Sequence, residues 1–343
     1  MSIVQSPAGT RPVVSPIAAS RTAASPSFPR TALDVQLVAV IIAVVDDEPM
    51  VRVVPDEGAH RLPSAAFRPE LQPTLEDGLR AAVHDDTGLE LGHVEQLQTM
   101  SRPKADAASP HTLSVGYLAL AHGTDLSVRE RANWQSCYAF FPWENWRHGK
   151  PRILRDVIEP RLAAWASAGP GSNGSGLNGA HPSRQDRMRI CFGENDSTWD
   201  EEKVVERFDL LVDAGLVDDC ACAARSSKLN ATAAPVVMSP DHTRNLAAAM
   251  GRLRAKIKSR PLVFDLMPER FTLFELQRAV EAILGPHLHK QNFRRLVEHM
   301  GLVEPTDGVK SHTGGRPAKL FRFRQECLLE RMQPGVRVRS ARG

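Results

Sequence analysis

Apolar residues recur along this chain with two periods, and the changes between them divide it into elements. Leu37 to Val45 (LVAVIIAVV) is a continuous β-branched run of buried-strand length, closed by the acidic turn Asp46-Asp47-Glu48-Pro49. Val51 to Val54 returns as a second strand, making a hairpin, and Leu62 to Phe67 reads as a loop. Thr74-Leu75-Glu76-Asp77 has a capping-box pattern and opens a helix that ends at Thr87-Gly88. Its inner stripe is Leu75, Leu79, Ala82 and Val83. Val94–Met100 and Thr112–Leu120 read as further strands. An aromatic-rich segment from Trp134 to Trp146 then leads into a helix over about 154–166.

The second half is helical until its end. Thr198-Trp-Asp-Glu201 predicts the cap of a helix carrying Val204, Val205, Phe208, Leu211 and Val212, stopped by Gly215. Asp241 is expected to cap a long helix with Leu246, Met250, Leu253 and Ile257 inward. Its Arg252, Arg254, Lys256 and Lys258 read as a solvated basic face, or as phosphate contacts. Thr272 and Glu275 form a second capping box, and Leu273, Leu276, Val280 and Ile283 follow at helical spacing up to Gly285-Pro286. Another helix has Phe293, Leu296, Val297 and Met300 on one face and Gly301 as its stop. The short strand Leu302-Val303, a polar excursion over Pro305–Pro317 and the alternating strand Lys319–Arg324 complete a winged helix.

That module carries candidate chemistry. Gln291, Asn292, Arg294 and Arg295, with Lys290 beside them, lie on the outer face of its second helix, with Glu298 as the acid. Arg and Lys suit guanine edges in a major groove, and Asn and Gln suit adenine. Lys310, His312, Arg316 and Lys319 in the wing are placed for phosphates or an adjacent minor groove. The alternative is a winged helix that only packs or dimerises. Charge supports the first reading, because residues 251–343 hold 19 Lys+Arg against 9 Asp+Glu, while the rest of the chain holds 24 against 31. One winged helix reads few base pairs, so a homodimer on a near-palindromic operator of double-stranded DNA is expected.

The domain plan is a disordered Ser/Ala/Pro/Thr-rich tail over 1–33, a folded domain over 34–166 and a Gly/Ser-rich linker over 167–185. An inserted helical segment over 186–237, the winged-helix domain over 238–332 and a basic tail over 333–343 follow. The class is α+β. Five scattered cysteines, with Cys220-Ala-Cys222 as a lone C-x-C, show no zinc-finger spacing and fit a reducing cytoplasm. No apolar run approaches membrane-spanning length, and the tail lacks the apolar core of a signal peptide.

LPSAAFRPELQPTLEDGLRAAVHDDTGLELGHVEQL resembles the loop-helix-loop of Nudix proteins, whose signature is G-x5-E-x7-R-E-U-x-E-E-x-G-U. Gly88-Leu89 fit its end, Asp85 and Asp86 stand at the paired glutamates, and Val83 fits the apolar position. Ala82 and Ala81 replace its Glu and Arg, Pro73 replaces the upstream Glu, and Phe67 replaces the Gly. Carboxylates at 82, 85 and 86 would converge on one helix face and hold magnesium against a pyrophosphate. With one lost and two shortened, no catalytic site for two-metal hydrolysis is expected and no metal site is assigned. A magnesium held by Asp85 or Asp86 together with phosphates stays open, as does a pair of solvated helix-end acids.

Several segments together resemble the Nudix-related transcriptional regulators of NAD metabolism, the NrtR family. VEQLQTMSRP with LSVGYLAL, DHTRNLAAAMGRLRAKIKSRPLVFDLMPERFTLFELQ, NFRRLVEHMGLVE and GGRPAKLFRF carry the likeness. VAVIIAVVDDEP and FFPWENWR look more like the NadQ-like branch. The resemblance implies a degenerate Nudix-like α/β/α sandwich followed by a winged helix-turn-helix. It also implies a homodimeric repressor of NAD-biosynthesis genes that responds to an adenine nucleotide, NAD or ATP. Arg102 is the candidate phosphate contact, with a solvated arginine as the commoner alternative. Trp134 and Tyr138 are the candidate base-stacking rings, with core packing as an equal alternative, in a cleft that has lost its metal ligands. The rival readings are a Nudix pyrophosphohydrolase with an appended winged helix, or an adaptor.

Overall fold

The computed structural model describes residues 33–102, 111–123, 130–168, 182–193, 199–217, 237–310 and 317–324. The expected tails (Leu33 excepted), most of the expected linker, Thr198, Cys220, Cys222, Cys327, His312 and Arg316 lie outside the described residues.

The central strand is β1 (Leu33–Val45). Leu37, Ala39, Ile41 and Ala43 enter the core on one face of the sheet, while Val38, Val40 and Ile42 enter the core on the other. Both faces are covered, so the run is apolar throughout. β1 pairs antiparallel with β2 (Glu48–Arg52) through a turn at Asp46 and Asp47, both in the left-handed region (φ 50° and 64°). A separate hairpin follows, β3 (Val54–Asp56) with β4 (Ala59–Arg61). Residues 62–67 are not all loop: β5 (Ser64–Ala66) pairs with the part of β1 that β2 leaves free. Pro63 sits just before it, and its carbonyl accepts from the Ala39 amide (2.8 Å).

The helix α1 (Leu75–Thr87) covers the first face with Leu79 and Val83. It begins and ends as its sequence predicts. The Thr74 hydroxyl accepts from the Asp77 amide, and Gly88 takes the left-handed conformation (φ 70°). β6 (Val94–Arg102) and β7 (His111–Leu120) follow, β7 lying parallel to β1, and β8 (Trp134–Ser136) forms the far edge. The sheet order is β6-β7-β1-β2-β8, with β5 beside β1.

The aromatic segment turns into α2 (Cys137–Phe140) and buries Phe141 and Trp143. The next helix begins with a π turn, Leu154–Ile158, before α3 (Glu159–Ser167). Pro160, which has no N–H to donate, marks the change. α4 (Arg184–Phe192) and α5 (Val204–Asp213) follow. α5 starts after a turn in which the Asp200 carboxylate accepts from the Glu202 amide (3.0 Å), not at a Thr198 cap.

The second face is covered chiefly by α6 (Pro240–Ser259), with Leu246, Met250, Leu253 and Ile257 inward as expected. Pro240 fixes its start, so Asp241 is a first-turn residue and not the cap. Gly116 lets it come close, since a Cβ there would meet Asn245 Oδ1 at 2.3 Å. Cross-links tie the two: Leu62 N–H donates to His242 Nδ1 (2.9 Å), Gln98 to Asn245 (3.1 Å) and Arg244 to Gln98 (2.9 Å). Phe192, Phe208, Val40, Leu246 and Phe271 belong to one continuous core. The expected boundaries at 186 and 238 are therefore not breaks in packing.

Arg252–Lys258 is not a free basic face either. Arg254 is wholly buried on Glu144, Lys256 pairs with Glu95, and Lys258 bridges Glu201 (2.6 Å) and Glu202 (2.8 Å).

Candidate nucleic-acid interface

The C-terminal module is α7 (Leu273–Leu284), α8 (Lys290–Met300), β9 (Val303–Lys310) and β10 (Ala318–Phe323). The capping box of α7 is complete: Thr272 and Glu275 each accept from the other's amide. Gly301 (φ 62°) ends α8. β9 is longer than its sequence suggests, running through Pro305 to Lys310 against β10. Phe271 bonds β10 on the opposite side, so β9 is an edge strand, where proline is tolerated.

α8 buries Phe293 and Val297 and leaves Lys290, Gln291, Asn292, Arg294 and Arg295 exposed. Arg294 donates to Glu298 one turn on (2.9 Å), whereas Arg295 has no partner among the described residues. In the wing, Lys310 is committed to Glu275 (2.6 Å), and Lys319 is exposed one residue further from the tip on β10. Burial raises the Glu275 carboxyl, but Lys310 and the Thr272 backbone and hydroxyl outweigh it and hold it below the usual carboxylate range.

Contacts that no local sequence pattern announces hold α7 against the first domain and against α6. The Tyr138 hydroxyl donates to Ala282 O (2.7 Å), and Arg254 Nε donates to Ile283 O (2.9 Å). Arg278 donates to the Asp47 carboxylate at the β1–β2 turn (3.0 Å). Arg254 in turn meets Glu144 (2.6 Å), which also receives two bonds from Arg207 (2.6 and 2.9 Å). Trp199 lies against the Arg207 guanidinium (3.8 Å to the ring centroid). Position alone places the two arginines on inward stripes, Arg254 four residues after Met250 and Arg207 three after Val204.

The expected nucleotide-stacking rings are corrected by their burial. Trp134 packs in the core beside α1, 3% exposed, and Tyr138 in the core on the other face, 5% exposed. Neither offers a face to a base. Arg102 ends β6 opposite Thr112. Thr112 lines a cleft of about 480 Å³ with Asp34, Gln36, Ala66, Phe67 and Pro69. On α1, Asp85 and Asp86 are exposed, and Arg80 holds the following loop through Leu91 O (2.7 Å) and Gly92 O (3.2 Å). Among the described residues, no three His, Cys, Asp or Glu side chains converge as a metal site, and no helix is long and apolar enough to cross a membrane.

Residues 263–323 match the family model of the NrtR DNA-binding winged helix domain. The chain is 47% identical over 83 residues to the ADPR responsive transcriptional repressor NtrR of Acinetobacter baylyi, a match covering 24% of this chain and 33% of that protein. It thus spans about a third of the curated relative's length. Shewanella oneidensis NrtR complexed with a 27mer DNA superposes with a TM-score of 0.50 at 18% identity, covering 84% of this chain and 93% of that one. A second crystal structure of Shewanella oneidensis NrtR gives 0.48 at 18% identity, covering 84% and 94%. The C-terminal module is therefore a winged helix that matches the NrtR family model, and the described chain shares the fold of Shewanella oneidensis NrtR.

Proposed function

We propose that the chain is a transcriptional repressor that reads duplex DNA through α8 and senses an adenine nucleotide through its Nudix-like domain. The observation that carries this is the exposed Gln291-Asn292/Arg294-Arg295 face of a helix whose other side is locked in the core. Those side chains supply bidentate contacts to adenine and guanine edges. The reading extends to a homodimer on a near-palindromic operator of NAD-biosynthesis genes, in the cytoplasm, because a single module reads too few base pairs for useful specificity.

The effector class follows from the curated relative, which is described as ADPR responsive. ADP-ribose, or a nucleotide containing it such as NAD, is the first candidate. ATP shares only the adenosine diphosphate part. The cleft beside Thr112, with Phe67 in its wall and Arg102 on the adjoining strand, is the better place for it than the buried Trp134 and Tyr138. Ala81, Ala82 and Pro73 stand where catalytic side chains would be, which favours a sensor over a hydrolase.

The DNA half is tested by fluorescence anisotropy with a duplex from the chain's own upstream region and a scrambled duplex of equal composition. The upstream duplex is expected to bind at least about 10³-fold more tightly, with affinity falling steeply with salt. Equal affinity for both duplexes would reduce the module to a packing or dimerisation element.

A further inference from the structure

Phe274 is 57% exposed, although it lies in the first turn of a helix whose other apolar residues are largely buried. It stands at the mouth of a cleft of about 450 Å³ between the first turns of α7 and α8 and the start of β10. Phe293 and Phe321 form part of its floor, and Gln277, Lys290 and Lys319 stand around them. The Lys290 ammonium lies over the Phe274 ring, 5.9 Å from its centroid. Neither Lys290 nor Lys319 has an acidic partner among the described residues. The carboxylate in the same turn, Glu275, is already satisfied by Thr272 and Lys310.

An apolar ring with Lys290 over it and Lys319 lining the same cleft, neither ammonium held by an acid, is complementary to one repeating unit of a nucleic-acid backbone. The deoxyribose presents an apolar face, and the phosphates on either side carry charge. Exposing so large an apolar side chain between cations has no folding benefit, since its hydrophobic contribution is realised only on burial.

We propose that this cleft is a sugar–phosphate subsite. Phe274 packs against a deoxyribose of the strand flanking the groove that α8 enters, and Lys290 and Lys319 hold the adjacent phosphates. The subsite rests on the DNA-binding function proposed above and adds a residue that sets the docking angle of α8 without reading a base. Its contribution is sequence-independent, because every nucleotide offers the same sugar and phosphate.

Phe274→Ala and Lys319→Ala separate the two parts of the subsite by their salt dependence. Affinity is measured with the full chain on the upstream and scrambled duplexes over a range of salt. F274A is expected to weaken both duplexes by a similar factor, roughly tenfold, the scale of burying one phenylalanine side chain. It should leave the slope of log affinity against log salt unchanged, because no charge is removed. K319A is expected to lower that slope by about one phosphate contact. Phe274→Trp, which keeps an apolar ring, should retain most of the affinity. A thermal midpoint unchanged in F274A, as its exposure implies, confirms that the fold is intact. Wild-type affinity in F274A overturns the subsite alone, as does a slope change equal to that of K319A. A wild-type chain that binds no duplex overturns the function and the subsite together.

Discussion

Replacing Glu144 with Gln is expected to lower the thermal midpoint of the chain by on the order of 10 °C, corresponding to roughly 3–5 kcal/mol. Glu144 and Arg207 are fully buried and Arg254 is 1% exposed. One carboxylate there balances two guanidiniums, which also bond the backbone at Cys191, Asp200, Glu201 and Ile283. Removing the negative charge leaves both cations buried and unneutralised, which costs far more than breaking a surface pair. Burial would raise the Glu144 carboxyl, but Arg207 and Arg254 outweigh it and hold it below the usual range. A carboxyl whose folded pKa is depressed stabilises the fold above its unfolded pKa, about 4.3. That stability is lost as the pH falls through the folded value. The gap between wild type and E144Q should therefore be full at neutral pH and close only in acid. Calorimetry at pH 7 and pH 4 or below reads both. An unchanged midpoint at pH 7 would mean that the triad does not join α5, α6 and the end of α7.

The Arg294→Ala and Arg295→Ala variants are each expected to weaken binding to the upstream duplex by about 5- to 150-fold, or roughly 1–3 kcal/mol for each bidentate bond to a base edge that is removed. Unlike F274A, they should compress the difference between upstream and scrambled DNA. Arg295 is the stronger case, because Arg294 shares its guanidinium with Glu298 (2.9 Å). Both side chains are exposed, so thermal stability should be unchanged. Anisotropy on both duplexes checks this. Undiminished discrimination in both variants would remove the two arginines from base reading.

Where local chemistry decides a feature, the sequence was enough. Thr74 with Asp77, the reciprocal Thr272–Glu275 box, and Gly88 and Gly301 as left-handed stops depend on residues within one helical turn. The alternation that turns Gln291, Asn292, Arg294 and Arg295 outward is also local. Features decided by distant partners were not legible. β5 forms because β1 has an unpaired stretch for it, and α6 covers a sheet more than a hundred residues earlier in sequence. The burial of Arg254 and Arg207 is not legible locally, because guanidiniums are rarely buried. Only the placement of Glu144 between them makes that burial tolerable. Trp134 and Tyr138 drew attention as aromatics, yet an aromatic ring serves a core as readily as a ligand, and both are core.

Under the function proposed above, nucleotide binding in the N-terminal domain biases DNA binding by α8. The Arg278–Asp47 pair and the Tyr138–Ala282 bond tie α7 to the β1–β2 turn and to α2, and are the contacts through which such a bias would pass. The most direct measurement is the affinity of the intact chain for its upstream duplex with and without saturating ADP-ribose, with NAD and ATP as parallel arms. An effector must prefer one of two arrangements to shift anything. ADP-ribose is expected to change the affinity by about 5- to 150-fold and to be recovered intact, and DNA should change the affinity for ADP-ribose by the same factor. DNA binding indifferent to all three nucleotides, or hydrolysis of ADP-ribose with magnesium at about 1 s⁻¹ or faster, would contradict the account.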